Sequence, residues 1–191
     1  MKENQDTLGT ITGATIVKAD FGELDKLIGG LQPNELTILA ARPGTDVSAL
    51  AQAIANNVAI KDEQIVLFVS LEMTKLELSL RLICSHAKLD IHEVRSNSLS
   101  KEEHGLLVNA FDELAKSPMY IDDTSRTVAD ISAVAQRLKQ EKGLKLIVID
   151  HIGLITSENP DEPRQEQVAV IVQRLRELAE KLHVPVLGLN H

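Results

Sequence analysis

Five short apolar runs, separated by longer segments, restrict the fold of this chain more than any other feature. Each run has the length and the aliphatic content of a buried strand. The runs are Leu36–Ala40, Ile65–Leu71, Met119–Ile121, Leu146–Ile149 and Val186–Leu189. Helical patterns lie between them, so the sequence predicts βαβ units. We therefore expect an α/β fold with a mainly parallel sheet that is flanked by helices.

Two helices are predicted from apolar residues that recur every three or four positions. The longer stripe comprises Val168, Ile171, Val172, Leu175, Leu178, Ala179 and Leu182, and the shorter comprises Ile131, Val134, Ala135 and Leu138. Further helices are predicted over Phe21–Ile28, ended by Gly29 and Gly30, and over Ala49–Ile60. Residues 1–20 are polar and weakly patterned, which predicts a flexible arm or linker ahead of a single domain over residues 21–191.

Composition excludes several classes of function. The 191 residues carry a net charge of −8, and the chain has one Tyr, three Phe and no Trp. Strong autonomous nucleic-acid binding is therefore not expected, because it needs clustered basic residues or aromatic stacking platforms. A single Cys84 excludes a disulfide framework. The sequence shows no apolar run of membrane-spanning length and no signal-peptide core, so we expect a cytoplasmic protein without a membrane partner.

The segment between the first apolar run and the helix at Ala49–Ile60 has the position of a phosphate-binding loop. Such a loop reads G-x-x-x-x-G-K-[ST] between a strand and a helix. Ser48 keeps the hydroxyl position, but Asp46 stands at the second glycine and Val47 at the lysine. The candidate loop comprises Ala41, Arg42, Pro43, Gly44, Thr45, Asp46, Val47 and Ser48. The alternative is an ordinary strand-to-helix turn with Ser48 as a helix N-cap and Arg42 covering the sheet edge.

The two replacements in this loop predict weak binding of a triphosphate. The loop amides and the helix N-terminus still offer partial positive charge to an anion. However, the lysine that would meet the outer phosphates is absent, and the carboxylate of Asp46 adds repulsion. Because a charge-assisted hydrogen bond contributes about 1.5–3 kcal/mol, we expect the affinity for a triphosphate to fall by about 10²-fold.

Three of the apolar runs end in polar residues, at the edge where ligands gather in parallel sheets. Glu72 follows the second run, Asp150 and His151 follow the fourth, and Asn190 and His191 follow the fifth. Asp150 could orient a hydrated Mg²⁺, and Glu72 could polarise an attacking water. Strand ends also carry carboxylates simply because they reach solvent, so either residue alone is equally compatible with a surface role.

Taken in order, these segments resemble the RecA-like motor domain of bacterial replicative helicases of the DnaB type. The likeness runs from about Phe21 to His191. It rests on Leu31–Leu36, Ala40–Pro43, Ser70–Met73, Tyr120–Thr124, Ile149–Asp150, Arg174–Leu182 and Val184–Val186. The resemblance implies a RecA-like P-loop NTPase fold whose C-terminal strands are not all represented. It also implies Mg-ATP as the cofactor and Glu72 as the catalytic base. Asp150 and Ser48 would be Mg²⁺ ligands, and His191 would occupy the sensor position.

The chain departs from the family pattern at three places. Asp46 and Val47 replace a Gly-Lys pair, 151–154 replaces Tyr-Leu-Gln-Leu, and Asn190-His191 replaces Ser-Gln. From the resemblance we expect the family's arginine finger and much of its DNA-contacting region to lie after that last point, and its amino-terminal helical domain to lie outside these 191 residues. The resemblance therefore implies a degenerate Walker A motif, vestigial Mg²⁺ ligands and a pseudo-ATPase.

Other residues that could bind a metal give weaker hypotheses. Cys84, His86 and His92 match no common zinc spacing, so we expect no zinc site. His151 and His191 could lie together near Asp150 and bind a metal or move a proton; the alternative is that they are solvated strand-end residues.

Three hypotheses about function follow from the resemblance. In the first, the chain is a non-hydrolysing interaction or regulatory module of DNA replication. It would dock on a replicative helicase or another replisome protein, or form a homo-oligomer, and bind nucleic acid weakly or not at all by itself. In the second, it is a weak or unconventional ATPase or helicase subunit. In the third, it is a fragment of a longer helicase.

Overall fold

The computed structural model describes residues 16–42 and 45–190 and contains a parallel sheet of five strands. The strands are β1 (Leu36–Ala40), β2 (Val66–Ser70), β3 (Met119–Asp122), β4 (Leu146–Asp150) and β5 (Val186–Asn190). Their order across the sheet is β1-β5-β4-β2-β3, and every neighbouring pair is parallel. The predicted α/β fold with a parallel sheet is therefore confirmed.

Helices occupy the connections between the strands. They are α1 (Gly22–Ile28), α2 (Val47–Asn56), α3 (Lys75–Ala87), α4 (Ile91–Arg95), α5 (Lys101–Lys116), α6 (Val128–Lys142) and α7 (Arg164–Leu182). A π-helical turn, Asn57–Lys61, extends α2, and a 3₁₀ turn, Ile152–Leu154, follows β4. None of the helices in the described ranges is both long enough and apolar enough to cross a membrane.

The central strands contribute side chains to two cores, one on each face of the sheet, because successive residues of a strand point to opposite faces. In β4, Leu146 and Val148 pack on the side of α2 and α3, whereas Ile147 and Ile149 pack on the side of α6 and α7. Coverage of both faces by helices explains why these strands read as continuous apolar runs rather than as alternating ones.

The beginning of α2 corrects one of the alternatives drawn from the sequence. Ser48 was a candidate N-cap, but the helix begins at Val47 and its N-cap is Asp46. The carboxylate oxygen Oδ1 of Asp46 accepts a hydrogen bond of 2.9 Å from the amide of Ala49. A carboxylate at this position satisfies an amide without an intrahelical partner and is favoured by the helix dipole, so the helix begins earlier than predicted.

Part of the predicted arm over residues 1–20 lies outside the described residues, which begin at Ile16. Within the described part, Val17 is buried and forms an isolated antiparallel bridge with Leu31. Ala19 is also buried, and its amide donates to the carboxylate of Asp25 at 2.8 Å. These contacts hold residues 16–20 against the domain.

Candidate nucleotide site at the carboxyl edge of the sheet

The register of the sheet brings the candidate residues to one edge. Ala40 of β1 lies opposite Asn190 of β5, and Ser70 of β2 lies opposite Asp150 of β4. The loops that follow these strand ends carry the residues singled out from the sequence. Of the candidate site residues, Pro43, Gly44 and His191 lie outside the described residues.

The loop before α2 uses several of its amides in its own hydrogen bonds. The amide of Thr45 donates to the carbonyl of Arg42 at 3.1 Å, and the amide of Val47 donates to the carbonyl of Thr45 at 3.0 Å. The amide of Ala49 donates to the carboxylate of Asp46 at 2.9 Å. These donors are the kind of group that a phosphate-binding loop turns towards its anion. In this conformation they are satisfied within the protein.

Val47, at the position of the lysine, belongs to the core. Only 5% of its surface is exposed, and it lies in the same buried cluster as Ala51 and Ile54 of α2. Its neighbours Thr45 and Asp46 are exposed, and Ser48 is half-buried. The side chain at position 47 therefore stabilises packing beneath the loop and has no charge to offer a phosphate.

The loop after β2 carries Glu72, whose side chain is exposed. A backbone hydrogen bond ties the beginning of this loop to the end of β4. The amide of Leu71 donates to the carbonyl of Asp150 at 2.7 Å, and the hydroxyl of Ser70 donates to the carbonyl of Met73 at 2.7 Å. Asp150 is itself fully buried. The structure thus places Glu72 and Asp150 on adjoining segments of neighbouring strand ends.

Beside this loop, the end of β3 holds two aspartates to which sequence reasoning gave no individual role. Asp122 is buried and accepts hydrogen bonds from the amides and hydroxyls of Thr124 and Ser125. Burial acts to raise the pKa of Asp122, but these hydrogen bonds together outweigh it and hold the pKa below its ordinary value. Asp123 accepts a hydrogen bond of 2.7 Å from the amide of Lys75, at the beginning of α3.

In the segment after β4, the ring of His151 lies against the backbone of Gly153. A Cβ atom added to Gly153 would lie 2.9 Å from both Cε1 and Nδ1 of His151, which is closer than real Cβ atoms approach other groups. The half-buried ring of His151 therefore occupies the space that a side chain at position 153 would need. The absence of a side chain at position 153 is thus matched to the histidine at position 151.

Two of the residues considered as zinc ligands, Cys84 and His86, lie in different environments. Cys84 is buried, and burial raises the pKa of its thiol. His86 Nε2 instead lies 2.5 Å from the carboxylate of Glu113 on α5. In the part of the chain that the structure describes, no group of three or more His, Cys, Asp or Glu side chains is arranged to hold a metal ion.

Known proteins resemble this chain along its whole length. The family model of the DnaB-like helicase C terminal domain matches residues 16–191. The replicative DNA helicase DnaB of Geobacillus stearothermophilus is 41% identical, over 100% of this chain and 41% of that protein. The replicative DNA helicase DnaC of Bacillus subtilis (strain 168) is 40% identical, over 95% of this chain and 40% of that protein. The chain thus spans about two fifths of these relatives.

Two solved structures share the fold, each with a TM-score of 0.86 and 25% sequence identity over 99% of this chain. One is described as an ATPase domain, of which 71% is covered. The other is described as a DnaB-like replicative helicase and its interactions with primase, of which 48% is covered. The RecA-like fold expected from the resemblance is therefore confirmed.

Proposed function

Because this chain belongs to the family of DnaB-like helicase C-terminal domains, we propose that it is a member whose ATP site is impaired. We further propose that it serves DNA replication as a non-hydrolysing interaction or regulatory module. The observation that carries the proposal is the pair of replacements before α2. Asp46 places a carboxylate on the helix N-terminus, and Val47 is built into the core.

The residues of this loop do not fit the outer phosphates of Mg-ATP. A triphosphate needs a cation and free amides at this point. Here the amides of Val47 and Ala49 are bonded to the carbonyl of Thr45 and the carboxylate of Asp46. An incoming phosphate would have to displace the carboxylate of Asp46 and remain beside its negative charge, with no lysine to compensate.

The residues that the resemblance assigns to catalysis and to Mg²⁺ binding support the alternative hypothesis of a weak or unconventional ATPase. Glu72 and Asp150 occupy the positions that the resemblance assigns to the catalytic base and to a Mg²⁺ ligand, and Ser48 keeps the hydroxyl. The bond between Leu71 and Asp150 keeps these two acidic segments together. A lysine supplied by another subunit would be required to complete such a site.

The loop before α2 departs from the motif while the packing of the domain is intact. This difference favours an interaction role over the gradual loss of a helicase domain that has no function. Both cores are filled, and the aliphatic residues of β2 and β4 are fully buried. Most random substitutions in a core cost stability, so undirected loss should have damaged the packing as well as the loop. A preserved fold with an altered site is what a docking module requires. A DnaB-type helicase, its primase and a second copy of this chain are the partners that the relatives suggest.

Surface plasmon resonance on the immobilised chain tests this role. A full-length DnaB-type helicase and its primase would be passed over it with and without Mg-ATP, and an acidic protein of similar net charge would be the control. We expect saturable binding of helicase or primase that does not require nucleotide. Absence of binding to either protein, together with ATP turnover that disappears in Glu72→Ala, would instead establish the ATPase alternative.

A further inference from the structure

The loop that carries Glu72 is held at both of its ends by the two strands that flank β2. At its beginning, the amide of Leu71 donates to the backbone carbonyl of Asp150 in β4 at 2.7 Å. At its end, the amide of Lys75 donates to the carboxylate oxygen Oδ2 of Asp123, just after β3, also at 2.7 Å. The first anchor is backbone to backbone, whereas the second depends on a single side chain.

Asp123 accepts from an amide that the local capping of α3 does not satisfy. Thr74 and Glu77 form a capping box: the amide of Glu77 donates to the Thr74 hydroxyl at 3.3 Å, and the amide of Thr74 donates to the Glu77 carboxylate at 3.1 Å. The amide of Lys75, between these two donors, is left for Asp123. A carboxylate at a helix N-terminus is also favoured by the helix dipole.

Asp122 holds the turn after β3 that carries Asp123. The Oδ1 atom of Asp122 accepts from the Thr124 amide at 2.9 Å and from the Ser125 amide at 3.1 Å. Its register partner in the sheet is Val69, one residue before Ser70 at the end of β2. The carboxylate of Asp123 is therefore presented from a rigid turn beside the loop, so forming its bond costs little conformational entropy.

We propose that Asp123 is a positioning residue for Glu72: it ties the loop of Glu72 to the edge strand β3. The inference rests on the proposed function for the identity of the site and deepens it. The two hydrogen bonds that anchor this loop, at Leu71 and at Lys75, do not involve Asp46 or Val47.

A spin label at position 72 tests the proposal in the intact chain. A nitroxide would be attached to Glu72→Cys. Cys84 is only 3% exposed and its thiol pKa is raised by burial, so the folded chain offers one reactive thiol. Labelling of the natural chain is the control for that selectivity. The measurement is the rotational mobility of the label, read from the electron paramagnetic resonance spectrum.

Removal of the anchor should free the label. In Asp123→Ala we expect its mobility to rise about threefold, into the range of flexible surface loops. Asp123→Asn should stay close to the parent, because its amide oxygen can still accept from Lys75. Glu77→Ala is the matched control: it breaks the capping box at the same helix end but leaves the bond to Asp123, so the mobility should change little.

Lys75→Pro removes the same bond from the donor side. Proline is well tolerated at the first position of a helix, and the preceding Thr74 already has the extended backbone that proline requires, with φ −66° and ψ 155°. This variant should fold and should raise the mobility as Asp123→Ala does, and the double variant should show no further increase.

The proposal is overturned if the label moves no more freely in Asp123→Ala and Lys75→Pro than in the parent. It is also overturned if Glu77→Ala raises the mobility as much as they do, since the effect would then be general loosening of the helix end. No nucleotide enters the measurement, so its result is separate from that of the proposed function, which depends on partner binding and on ATP.

Discussion

At the scale of single residues, the exchange at positions 46 and 47 alters the loop in two different ways. Asp46 adds a negative charge and satisfies the amide of Ala49. Val47 removes a positive charge and joins the core. Under the proposed function, a phosphate would have to compete with the carboxylate of Asp46, and no cation at position 47 would attract it.

Asp122 gives a prediction for the dependence of stability on pH. Its folded-state pKa lies below the ordinary value of 3.8. The stabilisation by its carboxylate is therefore fully present above the unfolded pKa and is lost as the pH falls through the folded pKa. At pH 7, Asp122→Asn should lower the free energy of unfolding by about 1–3 kcal/mol, because the hydroxyl and amide donors of Thr124 and Ser125 lose an ionised acceptor.

Urea denaturation between pH 7 and pH 3 checks this prediction. The difference between the natural chain and Asp122→Asn should narrow as the pH falls below about 4. Asp161→Asn, in the exposed loop before α7, controls for the substitution itself and should change the unfolding free energy little at pH 7. A gap that stays constant over the whole range would show that the ionised carboxylate is not the stabilising species.

The sequence singles out Asp46 and Val47 but not the hydrogen bond of Asp123. Asp46 and Val47 are visible because they break a motif of fixed spacing. Asp123 bonds to Lys75 across 48 positions of sequence, and nothing local to either residue indicates that bond. Likewise, the motif shows only that Val47 stands where a lysine is expected. Its burial depends on how α2 packs against the sheet, which no local pattern indicates.

At the scale of elements, the strands were easier to predict than the helices that cover one face. The central strands β2, β4 and β5 read as apolar runs because helices cover both of their faces. No apolar stripe in the sequence predicts α5, because this helix buries only Ala110 and leaves Leu106 and Phe111 about half exposed. The apolar residues of α5 therefore do not form a clear stripe on one face. The only sequence signal for this helix is the capping box formed by Ser100 and Glu103 at its beginning.

Two glycines in different elements should respond to alanine in opposite directions. A methyl group at Gly188 in β5 would overlap the buried Ile152, so Gly188→Ala should destabilise the protein by about 1–3 kcal/mol. Gly105 in α5 has open space around it, so Gly105→Ala should stabilise by about 0.5–1 kcal/mol through helix propensity.

Thermal and urea unfolding of both variants provide the measurement. Ile152→Val, which shortens the side chain that a methyl at position 188 would meet, should recover part of the loss in the double variant. Equal destabilisation of the two single variants would contradict the packing described for the turn after β4.

At the scale of the whole molecule, a sheet covered by helices on both faces carries a candidate site whose two halves differ. Helices α2 and α3 cover one face of the sheet, and α6 and α7 cover the other. On the shared carboxyl edge, hydrogen bonds hold the loops after β2 and β3 that carry acidic residues, whereas the loop between β1 and α2 has the carboxylate of Asp46 at the helix N-terminus. In the proposed function, this second half binds phosphate poorly. The fold is that of a helicase motor domain, and the difference is local.

Calorimetric titration of Mg-ATP into the natural chain and into the double variant Asp46→Gly, Val47→Lys shows whether these two replacements weaken nucleotide binding. Thr45→Ala, at an exposed neighbouring position, serves as the matched control. We predict no measurable binding by the natural chain or the control, and micromolar binding by the double variant. Micromolar binding by the natural chain, unchanged in the double variant, would contradict the account.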